Sequence, residues 1–225
     1  MTDVLDDESL DDAGDADDAG DDLLSEERER WLVRLLQLGL VGIVGYGLYR
    51  GETGVAVNGA LALGVTFVPA LLRRDAGISL DAGYVLWIST AVFVHAVGIL
   101  GPYQQLPWYD SVAHALSASV VAGAGYVTVV TIDEESAETE LPSELQFAFL
   151  LVFVMAFGVL WEIMEFGTEQ VASMLGGRAL LVQYGLDDVI NDLVFNQVGA
   201  LVVAAFDVAR PDSAADEAAE AVDER

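Results

Sequence analysis

Three short stretches of this sequence carry side chains able to bind a cation or move a proton. The first is Trp108-Tyr109-Asp110-Ser111-Val112-Ala113-His114. Asp110 and His114 are four residues apart, so a helix puts them on one face, one turn from each other. Such a pair is either a helix-capping aspartate with a histidine it orients, or a metal-ligand pair or carboxylate-tuned base. The second runs from Trp161 to Gln170 and holds Glu162, Glu165 and Glu169. At 100° per residue these three acids fall within an arc of about 60°. Acids crowded on one face repel unless one is protonated, water screens them or a cation is bound. A solvated helix end would account for Glu169; it suits Glu162 poorly, because Glu162 follows an unbroken apolar run. The third stretch, Asp187 to Gly199, places Asp188, Asp192, Asn196 and Gly199 within about 80° on a helical wheel. A helix N-terminus favours Asp188, but Asp192 and Asn196 lie one and two turns deeper.

The elements that must hold these residues are apolar. Hydrophobic residues make up 54% of the 225. They fall in runs of roughly 18 to 22, each about long enough for a helix to cross a hydrocarbon core near 30 Å. The pattern predicts an all-α, polytopic transmembrane bundle of about six spans: 31–49, 55–72, 83–100, 112–132, 145–166 and 189–206. The second is weakened by Asn58 and Pro69. Residues 1–24 read as a disordered acidic tail, 25–210 as the membrane domain and 211–225 as an acidic C-terminal tail. Ser25 is a possible helix cap without a full capping box, since Arg28 stands three residues on. The acidic start is the opposite of a signal peptide, so the first apolar run is expected to stay as a span. Gly39, Gly42, Gly45 and Gly47 in the first span, and Gly123 and Gly125 in the fourth, are expected to allow close helix packing.

Charge narrows the partners. Acidic residues number 37 against 9 basic ones, for a net charge of −28. Every basic residue is arginine. This argues against nucleic acid as a partner; the lipid bilayer is the expected one. Dense carboxylate without lysine suggests an extreme halophile. With no cysteine, disulfides, thiolate metal sites and cysteine nucleophiles are excluded.

Arginine placement orients the spans. With the N-terminus inside, Arg28, Arg30, Arg34, Arg73, Arg74, Arg210 and Arg225 are inside, and only Arg50 and Arg178 are outside, as the positive-inside rule requires. Both termini are then cytoplasmic. Asp110 and His114 start the fourth span on the outer side, Glu162 and Glu165 end the fifth there, and Asp188 and Asp192 start the sixth. Three groups distant in sequence therefore share one membrane depth. His95, near the outer end of the third span, is placed to join them. Arg178, in the loop before the sixth span, is either solvated or paired with a carboxylate or anion there.

At these residues the chain resembles a known family. Tyr109-Asp110 with His114, Trp161-Glu162 with Glu165, and Asp188 with Asp192 and Asn196 resemble the YjdF-like membrane proteins, whose function is uncharacterised. The order Asp110-x-x-x-His114, Glu169-Gln170, Arg178, Asp192-x-x-x-Asn196-x-x-Gly199 is more loosely similar to the VanZ-like family, associated with glycopeptide resistance. Ser111 stands where that family has lysine, and Glu169 and Gln170 are adjacent rather than spaced, which favours the YjdF-like resemblance. The match covers about residues 84–206.

Three functions fit. Asp110, His114, Glu162, Glu165, Asp188 and Asp192 could form a divalent-metal or acid–base site acting on a lipid or envelope molecule. Oxygen ligands with one histidine suit Mg²⁺, Mn²⁺ or Zn²⁺. The same residues could instead make interhelical polar contacts with no chemistry, or line a transport path. A path would need polar residues in the inner halves, where only Gln37 and Asn58 stand. Single cysteines introduced beside Asp110 and beside Asp188 should both react with a membrane-impermeant thiol reagent from the outer side. Labelling from opposite sides would refute the shared depth.

Overall fold

The computed structural model describes residues 25–135, 141–175, 181 and 185–206. Every regular element among them is helical. This is what hydrocarbon imposes, since a helix satisfies its own backbone groups without water. The expected tails 1–24 and 211–225 and Arg178 lie outside the described residues. In chain order the helices are α1 (Glu26–Arg50), α2 (Thr53–Val65), α3 (Val68–Asp75), α4 (Ala82–Gly98), α5 (Pro102–Gln105), α6 (Tyr109–Glu135), α7 (Ser143–Leu175) and α8 (Leu186–Phe206).

Among the described residues, five segments are long and apolar enough to cross a membrane: α1, α2 with α3, α6, α7 and α8. The third expected span is α4, which is apolar but only 17 residues long. That is roughly 26 Å, a little short of a 30 Å core. It ends at Gly98, and Tyr103 folds back over that glycine, where an added Cβ would meet the Tyr103 ring at 2.5 Å. The return is made at Gly101, whose φ of 144° suits glycine.

Two other spans differ from expectation. The second breaks at Thr66–Phe67, and Pro69 lies in the first turn of α3, where its missing N–H removes no helical bond. Thr66 Oγ1 bonds the Leu63 carbonyl and accepts from Gln37 Nε2 of α1 at 3.1 Å. The fifth does not end at Phe166. α7 continues to Leu175, giving a helix roughly 50 Å long. Ser25 stands at the N-cap of α1 without a side-chain capping bond, whereas Asp81 does cap α4, accepting from Tyr84 N at 2.7 Å.

The helices pack as two groups joined by α4 against α6. In the first, Leu40 and Ile43 of α1 meet Val55 and Ala62 of α2 and Ala96 of α4. In the second, Ala118 and Ala122 of α6, Leu150 and Val154 of α7, and Ala200 and Val203 of α8 form the core. Large apolar side chains instead face outward: Leu38 is 67% exposed and Val152 68%. Large apolar side chains on the outer surface suit a bundle whose solvent is lipid, where packing rather than water exclusion draws helices together.

Glycines carry the close approaches unevenly. Gly42 and Gly45 face open space, contrary to the packing role expected of them, while Gly39, Gly47 and Gly125 do meet neighbours. The tightest approach is at Gly199, where an added Cβ would stand 2.2 Å from the Ala115 carbonyl oxygen. Gly199→Ala must therefore push α8 away from the backbone of α6. The expected cost is roughly 1–3 kcal/mol, seen as a lower unfolding temperature in detergent, whereas Gly42→Ala leaves that temperature unchanged or raised.

Candidate functional site

α6 and α8 start at the same end of the bundle, and their contact brings two of the three sequence stretches together. Asp110 lies inside the first turn of α6 rather than at its cap, and His114 follows one turn later. Asp192 of α8 faces both. His114 Nε2 is 3.6 Å from Asp110 Oδ1 and 3.7 Å from Asp192 Oδ2. Asp110, His114 and Asp192 can each direct one ligand atom so that all three lie within 4.8 Å of one another. Asp192 is nearly inaccessible at 1% exposure, and its Oδ1 is buried without a hydrogen-bond partner among the described residues.

The imidazole orientation is set from α8. His114 Nδ1 faces Asn196 Oδ1 at 3.3 Å. An amide oxygen only accepts, so Nδ1 donates and Nε2 turns its other face to the two carboxylates. Gly158 of α7 makes room for that amide, since a Cβ there would meet Asn196 Nδ2 at 2.7 Å. One turn before Asn196 is Asp192; within the turn before that, Asn191 Nδ2 donates to Ser111 Oγ at 3.0 Å, a second tie between α8 and α6.

The distances discriminate between kinds of contact. A charge-assisted N–H···O bond closes to about 2.7–2.9 Å, and neither carboxylate oxygen approaches Nε2 that closely. An ion about 2.1 Å from each of two ligands at a tetrahedral angle holds them about 3.4 Å apart. The two His114–carboxylate separations are a few tenths of an ångström wider than that edge and wider than a direct bond, and the third edge of the triad lies within 4.8 Å.

The remaining sequence-selected residues surround this centre. Asp188, half-buried, and Asp192 are both within side-chain hydrogen-bonding reach of Asp110. Glu162 and Glu165 are buried at 6% and 7% exposure and lie near enough to act electrostatically on Asp192. They sit within α7 rather than at its end, and Trp161 Nε1 donates to Glu165 Oε1 at 3.0 Å. Glu169 is exposed, one turn beyond Glu165. The six residues expected to form one site thus divide into a close triad and three neighbouring carboxylates.

His95 does reach this region. Its ring packs edge-on against Trp161 at 5.4 Å, and its Nδ1 is 2.7 Å from the Tyr103 hydroxyl. Its Nε2 is buried without a partner among the described residues. Tyr103, outside the spans, is a contributor the sequence reading missed. Burial pushes its phenol well above the usual value, so it remains a neutral hydroxyl beside His95. Gly158 and Ser111 were also missed as contributors. A polar residue facing a later polar stripe was the only signal for Ser111, and for Gly158 there was none.

Fold and site together define a polytopic membrane protein with a carboxylate–histidine centre between helices. The chain belongs to the predicted membrane protein family DUF2238, whose family model matches residues 31–213. This is consistent with the YjdF-like resemblance; the VanZ-like one is unsupported. An uncharacterised protein of Thermotoga maritima is 28% identical over 186 residues, covering 81% of this chain and 91% of its own length. No solved structure matches.

Asn196→Ala should remove the imidazole's partner and lower the unfolding free energy in detergent by about 1 kcal/mol. Glu169→Ala, on an exposed face, should stay within about 0.5 kcal/mol of the parent. Equal effects of the two would contradict the geometry.

Proposed function

We propose that this membrane protein holds a divalent cation between Asp110, His114 and Asp192, as a metal-dependent or acid–base centre acting on a lipid or envelope molecule. The observation that carries the reading is the spacing of the three ligand groups around a buried, unpartnered Asp192 oxygen. Charge supports it too. Isolated carboxylates at membrane depth cost about 2.5–3.5 kcal/mol each on insertion scales, and a divalent ion offsets several at once. Asp110, His114 and Asp192 supply two hard oxygens and one imidazole nitrogen, a set that suits Mg²⁺, Mn²⁺ or Zn²⁺. Asn196 is the outer partner that fixes the ring of a ligating histidine. Three protein ligands leave a coordination position open, through which the ion would polarise a bound oxygen or activate water. Glu162, Glu165 and Asp188 are the nearby carboxylates available to take or return a proton.

Arginine distribution supports cytoplasmic termini and an outward-facing centre in the cell membrane. The acid-rich, lysine-free composition supports a high-salt habitat. A purely structural role is the second reading, favoured by the Asn191–Ser111 and Gln197–Leu151 bonds between helices. A transport path has less support, because Gln37 is committed to Thr66.

Metal content of the detergent-purified protein separates these readings. The parent should carry one divalent ion per chain, and His114→Ala and Asp192→Ala should lose it while remaining folded. Ion at 100 times its dissociation constant should add about 2.7 kcal/mol to the parent's stability and little to that of the variants. A parent that takes up neither Mg²⁺, Mn²⁺ nor Zn²⁺ sinks the metal centre.

A further inference from the structure

A cavity of about 240 Å³ opens between α7 and α8, on the outside of the bundle and beside the carboxylate–histidine centre. Val159, Ile163 and Phe166 line it from one face of α7, and Val189 and Leu193 from one face of α8. The spacings i, i+4, i+7 and i, i+4 make each set a continuous helical stripe. Ile163 is 61% exposed and Phe166 53%, so the cavity opens sideways, toward the surface that the outward-facing apolar side chains give to lipid. Its polar wall is Glu162, which also acts electrostatically on Asp192. Asp192 directly precedes Leu193, so the apolar groove and the centre occupy adjoining faces of α8.

We propose that this groove admits one hydrocarbon chain of a phosphate-bearing bilayer lipid and directs its headgroup to the cation at Asp110, His114 and Asp192. This rests on the cation reading given above. The occupant follows from lining, place and charge. The lining is apolar apart from Glu162 and the groove is open to the surface, so it takes a stretch of hydrocarbon chain lying along it rather than a soluble ligand. The mouth faces hydrocarbon, where lipid tails are the molecules at hand. Wherever they ionise, the carboxyl groups around the centre repel an anionic headgroup, and a bound divalent cation offsets that charge. Phosphate oxygens are hard donors that such an ion accepts in its open position. The groove therefore selects for a tail, and the cation for a phosphate.

The test is native mass spectrometry of the full chain in detergent with dioleoyl phosphatidic acid, with either Mn²⁺ or EDTA, and with metal content measured on the same samples. The parent with Mn²⁺ should keep one phosphatidic acid per chain and should keep it far better than dioleoylglycerol, which lacks the phosphate. EDTA should release it. Leu193→Trp fills the groove, and Ile163→Trp blocks its exposed mouth with little risk to folding. Each should weaken retention about tenfold while the Mn²⁺ content stays at the parent level. Retention unchanged in both variants overturns the groove, as does a dimer of this chain that the same substitutions dissociate. Equal retention of dioleoylglycerol overturns the phosphate. A parent that holds Mn²⁺ but no lipid overturns this inference alone, whereas a parent that holds no metal overturns the cation reading beneath it.

Discussion

The contact of Gly199 with the Ala115 carbonyl is the constraint on which the centre of this protein depends. Between helices in lipid there is no hydrophobic effect to draw them together, so close association requires small residues and matched surfaces. An added Cβ at Gly199 would fall 2.2 Å from that oxygen, and α6 and α8 therefore run nearly backbone to backbone. They start at the same end of the bundle, which aligns their polar stripes turn by turn. Asn196 meets His114, Asp192 meets His114 and Asp110, and Asn191 meets Ser111. A wider crossing would leave the same residues on the same helical faces without letting them touch.

The opposing force is electrostatic. Asp110, Asp188 and Asp192 are brought within reach of one another, and Glu162 and Glu165 add two further carboxyl groups from α7, so any that ionise repel. Apolar packing of Ala118, Ala122, Leu150, Val154, Ala200 and Val203 just below holds the three helices together against that repulsion. The arrangement has the character of a functional site, in which packing elsewhere supports an unfavourable local grouping. The same layout explains why the neighbourhood is rich in rings. Trp161, His95, Tyr103 and Tyr109 close the side facing α4 and α5, so the centre is walled by aromatics there and by aliphatic side chains toward lipid.

Much of this was legible beforehand. The apolar runs gave the helices, because a stretch that must satisfy its backbone in hydrocarbon has few alternatives. The 3.6-residue period placed Glu162 with Glu165, Asp110 with His114, and Asp188 with Asp192, Asn196 and Gly199 on common faces. Hydropathy overstated the regularity of the spans, however. It could not register the break at Thr66–Phe67, where Gln37 of α1 bonds Thr66, nor the continuation of α7 past Phe166, since a helix can run on beyond its apolar stretch.

The sequence by itself therefore determined an all-helical membrane bundle and the set of ionisable side chains on its helix faces, because both follow from local periodicity and transfer free energy. Only the tertiary structure decided that Asp110, His114 and Asp192 form the close triad while Glu162, Glu165 and Asp188 stand around it and Glu169 remains exposed. Interhelical distance is set by how side chains far apart in sequence fit together. Gly199 against Ala115 and Gly158 beneath Asn196 are fits of that kind, and no periodicity within one helix encodes them.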